Sequence, residues 1–231
     1  MQTSKRLRVW RVIARRHPSA FLLAAQLLSL LLYPLMDETP SGRLLFGAVA
    51  VVVVPLTVWV VNRSQYVTII AWLLAIPAML LAVFGIVFGM HMPFTLSAVF
   101  EASLYFYAAG SLISYMLHDH RVSADELFAA GATFTLLAWG FAYAYFVCQA
   151  WYPGSFVGFE PERPRTWLEL LSYSFSNLSA TGLSDVLPVS SPARVLTMLE
   201  QLAGVGYLAA VVSRLIGLTV MRRDPDETGR R

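Results

Sequence analysis

Thr166-Trp167-Leu168-Glu169-Leu170-Leu171-Ser172-Tyr173-Ser174-Phe175-Ser176-Asn177 has helical composition, with Thr166 placed as a cap and Glu169 three residues on. It is too short to cross a bilayer, which takes roughly 20 apolar residues. It leads into Leu178-Ser179-Ala180-Thr181-Gly182-Leu183-Ser184-Asp185-Val186-Leu187-Pro188, a small, polar, glycine-containing run, and a long apolar segment follows. Backbone carbonyls of such a loop can stand in for a cation's hydration shell. A half-helix aiming its C-terminus at the loop adds negative dipole density. Asp185 reads either as one member of an acidic ring that gathers cations at a mouth or as a turn residue before Pro188. Glu200, an acid inside an apolar segment, is positioned to brace the loop through a hydroxyl such as Ser176 or Ser179. Gly204 and Gly206 mark either a hinge or a site of close helix packing.

The surrounding elements fit a membrane setting. Of 231 residues, 57% are hydrophobic and 13% charged. A soluble domain carries about twice that charge, so a soluble enzyme, a disordered regulator and a disulfide scaffold are excluded. Continuous apolar runs at 19–36, 44–61, 67–89, 95–117 and 127–150, with a longer one at 193–221, predict six transmembrane helices rather than alternating barrel strands. The short helix and loop fall between the fifth and sixth. Non-helical backbone at membrane depth is tolerated only where protein buries it or water lines it, so this stretch is expected to re-enter the membrane. One copy cannot enclose a hole, so copies must surround a shared axis.

Basic residues set the orientation. Lys5, Arg6, Arg8, Arg11, Arg15, Arg16, Arg63, Arg121, Arg222, Arg223, Arg230 and Arg231 fall on one side, against Arg43, Arg163, Arg165 and Arg194 on the other. The positive-inside rule then predicts an inner-membrane, multi-pass protein with both termini cytoplasmic. The first span has no small-x-small cleavage site after Tyr33-Pro34, so it is expected to be a retained anchor.

Tyr173-Ser174-Phe175, Asp185-Val186-Leu187-Pro188-Val189-Ser190-Ser191-Pro192-Ala193-Arg194, and Glu200, Gly204, Tyr207, Arg214 and Gly217 form an ordered set within residues 121–221. As a set they resemble the pore module of tetrameric potassium channels. The resemblance implies a homotetramer that passes potassium or other monovalent cations, with membrane lipids as its other partner. It implies an ion-conducting filter at Ala180, Thr181, Gly182, Leu183, Ser184 and Asp185. The family filter reads Thr-Val-Gly-Tyr-Gly-Asp. Ala180 therefore removes a hydroxyl, Leu183 removes a bracing phenol, and Ser184 replaces a glycine at a left-handed position, costing roughly 1 kcal/mol or more. A wider, partly hydrated cation path and a collapsed, non-conducting loop both fit these departures. The second outcome would make the protein a membrane scaffold or sensor that keeps the channel fold.

The chain divides into a basic interfacial arm (1–18), a four-helix region (19–120), the pore module (121–221) and a short tail (222–231). The fourth span carries Glu101 and no Lys or Arg, which excludes a voltage sensor there. His118-Asp119-His120 lacks further ligands nearby and reads as a solvated loop. Gly85 and Gly89 have small-xxx-small spacing, which suits a helix contact. No nucleophile–base pair, metal motif or phosphate loop is present, so neither an enzyme nor a cofactor is expected, and a net charge of +3 gives no case for nucleic acid.

Overall fold

The computed structural model describes residues 18–32, 55, 57–58, 65–118, 124–160 and 162–221. Most of the second predicted span (all but residues 55, 57 and 58), the basic arm before Pro18, Asp119 and His120 and the tail lie outside the described residues. The described elements are α1 (Pro18–Leu32), α2 (Gln65–Phe88), α3 (His91–His118), α4 (Ala124–Trp151), β1 (Phe156–Val157), α5 (Trp167–Leu178), β2 (Leu187–Pro188) and α6 (Ser191–Met221). Among the described residues, four helices are long and apolar enough to cross a membrane: Ile69–Phe88, His91–Leu117, Asp125–Trp151 and Ser191–Arg214.

The architecture is helical, with one addition that the sequence reading lacked. β1 and β2 pair antiparallel, Phe156 opposite Pro188 and Val157 opposite Leu187. A two-residue ladder is too short to leave an alternating pattern, so this stretch read only as a polar loop.

α4 is the central post. α1, α3, α5 and α6 all pack against it. Small residues make this possible: Ala129, Ala132, Ala138 and Ala142 on α4 are fully buried, as are Ala108 and Ala109 on α3. The start of α1 is capped from outside, because the Ser19 amide and hydroxyl each donate to Asp125 at 3.2 Å. The turn between α2 and α3 separates the two glycines of the predicted contact motif. Gly85 lies against Phe94. Gly89 adopts φ 64° and lets the Met90 amide donate back to the Gly85 carbonyl at 3.0 Å, closing the helix in the left-handed C-cap pattern. Of these two, Gly85 is therefore the packing glycine.

Aromatic rings fill the space between α3, α4 and the loop region. Tyr105 stacks on Tyr143 and meets Trp139 edge-on, and Trp167 at the head of α5 contacts both Trp139 and Tyr143. Glu101 finds a partner that its own helix did not reveal, the hydroxyl of Tyr143 on α4.

Candidate ion pathway and its supports

α5 starts where the sequence predicts. The Thr166 amide donates to Glu169 Oε2 at 2.6 Å and the Glu169 amide donates to Thr166 Oγ1 at 3.3 Å, completing a capping box. Burial alone would raise the Glu169 carboxyl. Hydrogen bonds from Arg163, at 2.8 and 2.9 Å, and from Thr166 outweigh it and hold the group below the usual carboxylate range.

The approach to α5 is pinned to α4. Gln149, at the end of α4, accepts from the Arg165 amide at 2.8 Å and donates to the Arg165 carbonyl at 3.0 Å. The Arg165 side chain is itself buried, with its guanidinium on the carbonyls of Glu160 and Arg163. Gly158 leaves it room, since a Cβ there would strike that guanidinium.

At α5's other end, the helix closes on the loop. The Ser176 carbonyl accepts from the amides of Thr181 and Gly182, at 3.1 and 3.2 Å, and from the Thr181 hydroxyl at 3.2 Å. The first loop amides are thereby turned toward the helix C-terminus. Ala180 sits at φ 58° and Gly182 at φ 68°. This relocates the strained position. Ser184 has no positive φ, and its hydroxyl instead accepts from the Val186 amide at 3.1 Å. Among the described residues Ala180 is the non-glycine in left-handed backbone, which costs it about 1–2 kcal/mol.

The far end of the loop is held by the β1–β2 pair and by Ser155. The Val189 amide donates to the Ser155 carbonyl at 2.9 Å, and the Ser190 hydroxyl donates to Ser155 Oγ at 2.8 Å. Between these two fixed ends, Thr181, Gly182, Leu183 and Asp185 are exposed in the single chain, Leu183 at 83%.

Behind the loop, α4, α5 and α6 meet at Glu200, which is fully buried. Its two oxygens take the hydroxyls of Tyr145 on α4 and Ser174 on α5. Ser174 also reaches the Ala138 carbonyl at 2.8 Å. Glu200 therefore does not use Ser176 or Ser179. Two residues is about 200° around a helix, so Ser176 faces away from the side of α5 that Ser174 presents. The Ser176 hydroxyl is buried without a hydrogen-bond partner, and the Ser179 hydroxyl turns to the Ser176 carbonyl and to Thr181. Two further ties join α5 to α6: Tyr173 with Thr197 at 2.7 Å, and Gln201 donating to Asn177 at 3.2 Å.

The two glycines of α6 separate. Gly204 is buried, and a Cβ on it would run into the backbone of Leu178, so it permits close approach of α6 to the end of α5. Gly206 is exposed and faces open space within the chain. Gly204 is therefore a point of close contact between α6 and α5, and Gly206 is not.

Tyr145, Tyr173, Thr197, Asn177 and Gln201 were missed as supports. For Thr197 a signal was present. Ala193, Thr197, Glu200, Gly204 and Tyr207 follow a 4-3-4-3 spacing along α6, one helical face carrying small and polar residues inside an apolar span.

A helix too short to cross, set between two that can, with its C-terminal carbonyl tied to an exposed small-residue loop, is the arrangement of a pore module. Residues 131–220 match the family model for an ion channel. The matched segment resembles the two-span pore domain of the potassium-channel type, and it contains most of α4, all of α5, the loop and nearly all of α6. No curated protein and no solved structure matches the chain. With its four long apolar helices, a chain carrying an ion-channel segment is a membrane protein.

Proposed function

We propose that the protein is a cation channel in which copies of this chain, four around one axis, bring their 180–185 loops together to form the filter. Potassium or another monovalent cation passes down its gradient along the carbonyls of Thr181, Gly182 and Leu183, and Asp185 concentrates cations at the outer mouth. The loop between α5 and β2 re-enters the membrane, both termini are cytoplasmic, and no cofactor takes part.

The observation that carries this reading is the bracketed loop. Its inner end hangs from the Ser176 carbonyl at the C-terminus of α5, its outer end is tied to Ser155 and β1, and the residues between present themselves to a neighbour or to water. The exposed face of α6, with Val195, Met198, Leu202 and Val205, gives the apolar surface that copies of the chain would share. In water-excluded surroundings, the α5 dipole and oriented carbonyls favour a cation over an anion.

The test is flux from proteoliposomes loaded with potassium or with sodium. Passive, gradient-driven movement of one or both supports the reading. If neither ion moves at any pH or voltage while the protein is folded and inserted, the channel reading fails, and a non-conducting scaffold built on the same fold takes its place.

A further inference from the structure

α6 is held differently along its length. Its outer half is locked into the loop supports through Thr197, Glu200, Gln201 and Gly204. Its inner half meets α3 and α4 around a small crevice of about 50 Å³, lined by Met116 of α3, Ala130 of α4 and Ala210 and Val211 of α6 among others. Apolar packing of α6 against these helices is therefore incomplete at this level. Two polar ties bridge it instead. The Tyr207 hydroxyl donates to the Ala130 carbonyl at 2.6 Å, and Arg214 donates to Glu126 at 3.1 Å. Both members of the ion pair are sheltered, with side-chain exposures of 17% for Arg214 and 5% for Glu126.

We infer that the Glu126–Arg214 pair, assisted by Tyr207, is a stay that holds the inner end of α6 against α4 and so keeps the inner mouth of the pathway from closing. The inference rests on the channel reading above. α4 is wrapped by α1, α3 and α5, while most of α6 is exposed in the single chain. α4 is therefore the peripheral member, and a tie to it draws α6 away from the axis that copies of α6 would surround. A sheltered ion pair suits this job. Attraction between the charges is screened little there, and reversing one member places like charges side by side.

The experiment uses the full-length protein in proteoliposomes, with Glu126→Arg, Arg214→Glu and the double exchange of both residues. Each single reversal is expected to lower flux roughly fivefold or more, the lower end of typical coupling between two states. The double exchange, which restores opposite charges, is expected to recover most of it. Spin labels at Leu127 and Val212, both exposed on the same two helices, read the position of α6 directly. The distance between them is expected to change in each single variant and to return in the exchange. Wild-type flux in single variants, increased flux, or an exchange no better than the singles would overturn the inference. Failure of the channel reading is distinguishable, because it abolishes wild-type flux while the label distances still report the stay; label distances unchanged in the single variants overturn the inference in that case too.

Discussion

Gly204 and Gly206 lie on one helix in different surroundings, and a matched pair of substitutions separates the consequences. Replacing either glycine by alanine improves helix propensity by about 1 kcal/mol. That gain is common to both and cancels in the comparison. At Gly206 a Cβ meets nothing within 4 Å, so the gain stands. At Gly204 the new methyl meets the Leu178 carbonyl, and backbone lies on both sides of the contact, so no side chain can swing aside. Overpacking of a well-packed site costs about 1–3 kcal/mol. Gly204→Ala should therefore be less stable than Gly206→Ala by about 1–3 kcal/mol, a factor of roughly 5–150 in the unfolding equilibrium. Reversible unfolding by SDS titration in mixed micelles measures this difference. Leu178 lies two residues before Ala180, so the displacement should also reach the loop and reduce cation flux in Gly204→Ala. Equal stability of the two variants within about 0.5 kcal/mol, less than the smallest expected overpacking cost, would refute the close-packing argument and return Gly204 to the role of a hinge.

Other consequences follow from the same geometry. Ala180→Gly should raise stability slightly, because it removes about 1–2 kcal/mol of left-handed strain and returns about 0.5–1 kcal/mol as chain entropy. Ala180→Thr, β-branched at φ 58°, should lower stability, and SDS titration orders the three proteins. Ser174→Ala and Tyr145→Phe should each cost about 1–3 kcal/mol, because each leaves a buried Glu200 oxygen unsatisfied. The double variant should lose measurably more or less than the sum, since the two hydroxyls serve one carboxyl. The capping box should weaken in acid. Glu169 is held below the usual carboxylate range in the folded protein, so its contribution is present above that range and is lost as pH falls through the depressed value. Thermal unfolding from neutral to acid pH should show part of this slope, and Glu169→Gln should remove that part.

The helices were legible because continuous apolar runs leave one reading. The predicted spans at 67–89, 95–117, 127–150 and 193–221 correspond to α2, α3, α4 and α6, and Thr166 with Glu169 located the start of α5. The supports of the loop were less legible because they depend on which side of each helix faces its neighbour. Glu200 was found as an unusual acid, but its partners could be named only once α4, α5 and α6 were placed together, and they proved to be Tyr145 and Ser174. Analogy with a glycine places the strain at Ser184. The backbone puts it at Ala180, where the loop amides turn back toward Ser176. The β1–β2 pair left no trace, since two residues per strand show no period.

The central proposal is that the 180–185 loops of several copies wall one cation path, and a density map of the assembly in lipid tests it most directly. The account predicts four chains around one axis, each α5 descending partway into the bilayer, with the loops facing that axis and ion density between them. A lone chain, or loops lying flat at the lipid surface, would contradict it.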